Sequence, residues 1–240
     1  MTVSRVRWAR TISSAHFGYP AYVMLLRPPW VYRPQTDTWL LAKALSEAGI
    51  PRGGHVLDVC TGSGALAIAA ARGGASAVTA VDISRSAAAS AWLNCRIRGI
   101  EAEVIRGDFS CALRGRRFDL VLANPPYVPA PAGAGRRGPA RAWNAGVSGR
   151  GALDRLCRMM PELLKPRGAA LVVHSILSDP DSTLTQLRDT GLKAAIVARH
   201  TVPFGPVLRE RADWLASIGL IEPGQDKEDL VVIRADRIRK

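Results

Sequence analysis

The stretch of this 240-residue sequence that points most directly to chemistry is Asn124-Pro125-Pro126-Tyr127. An Asn-Pro pair alone starts many turns. Two prolines in succession do more, because they fix the backbone, remove two N–H donors and leave carbonyl oxygens free to accept. A planar NH2 group conjugated to a carbonyl or an aromatic ring is a poor nucleophile, since its lone pair is delocalised. Acceptors set at its two hydrogens, the Asn124 side chain and the Pro125 carbonyl, favour a localised lone pair, and Tyr127 is placed to stack on the planar face. No strong base is needed, because the proton can leave after the new bond forms. Rate then comes from positioning and desolvation in a near-attack geometry.

A second constellation precedes this one. Asp58 stands just before the turn Cys60-Thr61-Gly62-Ser63-Gly64, and Asp82 and Asp108 follow the next two apolar runs. Gly62 and Gly64 let the backbone turn tightly and approach a ligand without a Cβ in the way. Asp82 lies roughly 20 residues beyond the glycines, the spacing at which a carboxylate meets ribose hydroxyls in dinucleotide folds. The turn is neither G-x-G-x-x-G nor a P-loop, so it offers no cradle for a pyrophosphate. A nucleoside without phosphates fits better, and Asp58 would suit the ammonium of a sulfonium cofactor carrying an amino-acid tail. The plainer alternative for each aspartate is a helix N-cap.

These residues need a frame. Apolar runs at 55–59, 77–81, 102–105, 118–123, 169–174, 194–199 and 230–233 read as strands. Helical patterns fall at 36–48, where Thr36 or Asp37 could cap the start and Gly49 the end, and at 65–71, 85–98, 152–164, 183–190 and 207–217. Strands alternating with helices predict an α/β fold, a mostly parallel sheet with helices on both faces and ligands at the strands' carboxyl ends. Residues 129–148 form the one long aperiodic segment, rich in Gly, Ala, Pro and Arg. Its place after the tetrapeptide suggests a lid over the substrate, with Trp143 serving the lid or anchoring the loop in the core.

Composition excludes several classes. There is no apolar run long enough to span a bilayer, and the first 36 residues, with Arg5, Arg7, Arg10, Arg27 and Arg33 but no acid, lack a signal peptide's apolar core. A cytoplasmic protein is expected. Cys60, Cys95, Cys111 and Cys157 and the four histidines are dispersed, which suggests neither a disulfide framework nor a metal site. The net charge of +13 is compatible with a nucleic-acid or ribosome contact, to which Arg136, Arg137 and Arg141 could contribute.

Taken together, residues 58–64 (DVCTGSG), Asp82, Asp108 and NPPYVP at 124–129 resemble the HemK-like group of S-adenosylmethionine-dependent glutamine methyltransferases. VYRPQTDTWLL at 31–41 and AWNAGVSGRGALDR at 142–155 resemble segments of its compact eukaryotic and archaeal branch. The resemblance implies a seven-stranded Rossmann-like sheet whose last strand is antiparallel. It implies S-adenosyl-L-methionine held by Thr38, Asp58, Cys60, Gly62, Gly64, Asp82, Ile83, Asp108, Phe109 and Asn124, and a substrate amide held by Asn124, Pro125, Pro126 and Tyr127. The implied substrate is a glutamine in the Gly-Gly-Gln loop of a translation termination factor, and the implied assembly is a monomer or a complex with a small activating partner. Three features depart from the pattern. Cys60 replaces a glycine, which is tolerable if φ is negative there. Residues 1–30 are a basic extension too short for the bacterial helical domain, and 201–224 insert a helix into the methyltransferase domain at 31–240. The alternative acceptor is the exocyclic amine of adenine in RNA or DNA, which NPPY suits as well. A degenerate binding protein that keeps only the fold is the third reading.

Overall fold

The computed structural model describes residues 24–49, 53–134 and 138–238. Seven strands form one sheet in the order β3-β2-β1-β4-β5-β7-β6. They are β1 His55–Val59, β2 Ala77–Asp82, β3 Ala102–Arg106, β4 Phe118–Ala123, β5 Leu164–Ser175, β6 Lys193–Pro203 and β7 Lys227–Asp236. The first five are parallel to one another, and β7 runs antiparallel between β5 and β6. This is the expected seven-stranded α/β sheet, with the last strand reversed.

Strand periodicity explains the layering, since alternate side chains leave opposite faces. Val56, Leu120, Leu122, Leu171 and Val173 pack on one face against Leu40, Leu41 and Leu45 of α1 (Thr36–Ala48) and Leu66 and Ile68 of α2 (Ala65–Arg72). Leu57, Val59, Val121, Ala123 and Val172 pack on the other. There they meet Leu153, Leu156 and Met160 of α5 (Leu153–Leu163) and Leu184 and Leu187 of α6 (Pro180–Asp189). Each such side chain stabilises the fold by about 1.5–3 kcal/mol. Helix α3 (Arg85–Arg96) lies close enough to α2 that a Cβ on Gly64 would sit 3.0 Å from the Ala91 Cα, and Gly64 has φ 83°. Only glycine fits there. Among the described residues no helix is long and apolar enough to cross a membrane.

Several boundaries differ from expectation. Neither Thr36 nor Asp37 caps α1, whose N-cap position is Gln35 without a side-chain cap bond. Helix α3 stops at Arg96. Strand β5 begins directly where α5 ends, because Arg167 takes a positive φ of 68° that keeps 164–168 in the sheet across an irregular register with β4. Asp108 caps an unforeseen short helix α4, Phe109–Ala112. The helix expected at 207–217 is two pieces, α7 (Pro206–Glu210) and α8 (Ala212–Ser217), which meet at the non-helical Arg211.

Candidate active site

At the carboxyl ends of β1, β2 and β4 lies a cavity of about 700 Å³, lined among others by Thr38, Cys60, Gly62, Asp82 and Ile83 on one side and by Asn124 through Tyr127 on the other. A second cavity of about 410 Å³ continues past Cys60, Asp82 and Ile83 to Asp108 and Phe109. The fold thus gathers both constellations, bringing Thr38 against Asn124, 86 positions away.

The acceptor side is organised by a residue the sequence did not single out as functional. Asp37, only 3% exposed, accepts the hydroxyls of Tyr32 at 2.8 Å and Tyr127 at 2.9 Å on Oδ2, while its Oδ1 accepts the Thr38 hydroxyl at 3.1 Å. A carboxylate can only accept, so Thr38 must donate to it. The Thr38 oxygen is then left to accept from Asn124 Nδ2 at 3.2 Å. This chain of donors fixes which way the Asn124 amide faces and turns its Oδ1 toward other donors. Tyr127 lines the cavity with its ring while its hydroxyl is tethered.

On the opposite wall, Asp82 accepts the Gly62 amide at 3.0 Å on one oxygen and the Ser84 amide at 2.9 Å on the other. It therefore holds the glycine turn against the start of α3, and each oxygen keeps a lone pair for a diol. Asp58 does not line either cavity: it is fully buried, with Oδ2 accepting from Thr61 (2.5 Å) and the Ala67 amide (3.0 Å). Its Oδ1 and the neighbouring Ser63 Oγ are buried and unpartnered. Burial pushes the Asp58 carboxyl up to about 7. Asp108 fulfils the capping reading by accepting from Ser110, and it also pairs with Arg155 at 3.0 Å. Burial works to raise its pKa, but these partners outweigh it and leave the carboxyl below its ordinary range. Phe109 is buried beneath the Arg155 guanidinium.

Cys60 does not meet the condition of a negative φ: it sits at φ 58°, in the left-handed region. A side chain there costs roughly 1–2 kcal/mol, so Cys60→Gly is expected to raise the unfolding free energy by about 1 kcal/mol in urea melts. Unchanged or lower stability would show that the thiol's packing offsets the strain.

Glu228, at the start of β7, is the other buried acid near the tethered tyrosines, and its Oε2 has no partner. Burial raises it from 4.5 to about 7, and the neighbouring Asp37 charge adds to the rise. The folded state therefore holds a proton that the unfolded chain releases. The stability this contributes is complete below about 4.5 and is lost as pH rises through about 7. Glu228→Gln should remove that dependence. Relative to wild type, the variant gains stability between about pH 5 and about pH 8 in urea unfolding, and a constant difference would refute the assignment.

The segment at 129–148 folds back on the tetrapeptide. The Val128 amide donates to the Trp143 carbonyl at 2.8 Å, and Ala145 returns a bond to Val128 at 3.0 Å. Gly149, at φ 70°, passes so near that a Cβ would lie 2.4 Å from the Tyr127 carbonyl. Trp143 lines the larger cavity and Arg141 lines both, while Arg136 and Arg137 fall outside the described residues.

Comparison with known proteins agrees with this geometry. Residues 33–134 match the family described as Methyltransferase small domain. A Methanocaldococcus jannaschii protein named as a protein N5-glutamine methyltransferase is 32% identical over 177 residues, covering 73% of this chain and 88% of the relative. The chain belongs to the HemK-like glutamine methyltransferase family. The mouse methyltransferase HEMK2 is 33% identical over 171 residues, 68% of this chain and 80% of its own. The E. cuniculi Mtq2–Trm112 structure, 20% identical, superposes with a TM-score of 0.57 over 87% of this chain and 99% of that one, and so shares the fold.

This HemK-like protein is an S-adenosylmethionine-dependent methyltransferase, and its residues fit that cofactor. Ser63 lines the larger cavity beside the glycine turn with an unpartnered Oγ, and Asp58, behind that wall, would hold the turn in place for an ammonium-bearing tail. Asp82 would take the ribose diol, and Asp108 and Phe109, in the second cavity, the base.

Proposed function

We propose that this enzyme methylates the side-chain amide of a protein glutamine. The observation that carries this reading is the hydrogen-bond chain from Asp37 through Thr38, which leaves Asn124 Oδ1 free to accept in the cavity that Pro125 also lines. Two fixed acceptors match the two hydrogens of a primary amide. Bound S-adenosylmethionine supplies a methyl group on a positively charged sulfur. Asn124 and Pro125 would hold the NH2 with its lone pair localised for attack, and Tyr127, immobilised by Asp37, would cover the amide plane. The proton leaves the alkylated nitrogen along the same acceptors to solvent. The net gain is pre-organisation, since no group must be ionised for attack.

The acceptor proposed is the glutamine of a Gly-Gly-Gln loop in a translation termination factor of the cytoplasm. A relative of shared fold is described as methylating eRF1 in complex with Trm112, which supports this acceptor and a small activating partner. Assigned roles follow the placement described: Asn124, Pro125, Pro126 and Tyr127 hold the amide. Thr38, Cys60, Gly62, Asp82, Ile83, Asp108 and Phe109 surround the cofactor, and Gly64, which lines neither cavity, lets the turn pack against α3. The test is transfer of labelled methyl to the organism's own termination factor and to a variant with that glutamine replaced by alanine. Label on the first alone is expected; equal label on both contradicts the glutamine assignment.

A further inference from the structure

The insertion that follows β6 makes its hydrogen bonds to the acceptor side through one residue. Arg211, at the junction of α7 and α8, donates from Nη1 to the Pro129 carbonyl and from Nη2 to Asn144 Oδ1, each at 2.8 Å. These partners lie on the two chain segments that the Val128–Asn144 bridge joins. The segment carrying Pro129 has just left Tyr127, and the one carrying Asn144 has just passed Trp143; both aromatic residues line the cavity. The insertion also has an apolar centre of its own in Phe204, Leu208, Leu215 and Ile221, against which Val128 packs. No residue of 201–224 lines either cavity, so the insertion acts on the reaction through Arg211 and through the packing of Val128, which lines the larger cavity.

We infer that Arg211 is a positioning residue for the methyl acceptor. Its planar fork joins two acceptors 15 residues apart in sequence, fixing the spacing between the outgoing and returning arms of the loop and so the gap between Tyr127 and Trp143 into which the acceptor group enters. A lysine, as a point charge, can serve one of the two oxygens well but not both. Arg211 itself lines neither cavity, while its partner Asn144 also lines the second one, so the clamp acts on the acceptor through the Pro129 arm that leaves Tyr127. The inference rests on methyl transfer by this site and not on which macromolecule is methylated.

The experiment uses the full chain with Arg211→Ala, Arg211→Lys and Asn144→Ala, and as acceptor an extract of cells lacking the gene. For Arg211→Ala the extract concentration giving half-maximal transfer should rise about tenfold, the effect of losing charge-assisted bonds. The rate at saturation and the cofactor Kd should stay within about threefold, the pattern of lost uniform binding. Arg211→Lys should recover part of the loss. Asn144→Ala, which also alters the lining of the second cavity, should raise the half-maximal extract concentration in a way that is not additive with Arg211→Ala. Amide exchange at Val128, Ala130 and Ala145 should speed up in Arg211→Ala, which can be read whether or not the extract is labelled. Unchanged exchange overturns the inference, as does a parallel collapse of maximal rate, cofactor Kd and melting temperature that Arg211→Lys fails to rescue. An extract left unlabelled by the wild type counts against the proposed function, and the exchange comparison then decides Arg211 by itself.

Discussion

Asn124→Ala is expected to lower methyl transfer by on the order of 10³, the scale of losing one pre-organised hydrogen-bonding group aimed at the reacting centre. The affinity for S-adenosylmethionine should stay within about threefold, because Asp82, the glycine turn and the second cavity are untouched. Equilibrium binding and single-turnover transfer with the same preparation separate the two effects. The large loss is expected because attack requires two acceptors at once: one oxygen alone leaves the NH2 free to rotate and keep its lone pair in conjugation. Near-wild-type turnover in Asn124→Ala would remove the tetrapeptide from the chemistry. A loss of cofactor binding as large as the loss of rate would instead make Asn124 a cofactor ligand first.

Asp37→Ala is expected to be the most destabilising single change at the site. It leaves the hydroxyls of Tyr32 and Tyr127 without their shared acceptor and frees Thr38 to reverse its hydrogen bond. Orphaning buried donors costs about 1–3 kcal/mol for each group, so a fall of roughly 3 kcal/mol in unfolding free energy is the central expectation. Tyr127→Phe removes one donor and leaves Asp37 its others, and should cost only about 1 kcal/mol. Transfer should fall in Asp37→Ala even at temperatures where it remains folded, since the Asn124 amide loses the direction that Thr38 gives it. If Asp37→Ala unfolds no more easily than Tyr127→Phe in parallel urea melts, the carboxylate is not the hub that the geometry makes it.

Much of this arrangement could be read along the chain. The short apolar runs of β1 and β4 reveal the sheet, and a strand's carboxyl end is where Asp82 and Asn124 had to fall. What could not be read is what depends on distant partners. Asp37 sits in the first turn of a helix, where an acid suggests a cap, and only the approach of Tyr127, 90 residues later, gives it another task. Arg211 lay inside an expected continuous helix, and nothing local marks it as the break that reaches Pro129, 82 residues away. Cys60 misled for a related reason, since backbone conformation in a tight turn is imposed by closure around it. Asp58 is another case: the sequence puts it at the turn, but packing withdraws it behind the wall and leaves only its unpartnered oxygen to suggest what it awaits.

The proposed acceptor is tested most directly by incubating the purified protein with methyl-labelled S-adenosylmethionine and an extract of cells lacking its gene, then splitting the product between protease and nuclease. The proposed function predicts label released only by protease and mapped by mass spectrometry to a glutamine side chain. Label destroyed only by nuclease would contradict it and make adenine amines the acceptors of the same Asn124 and Pro125 oxygens.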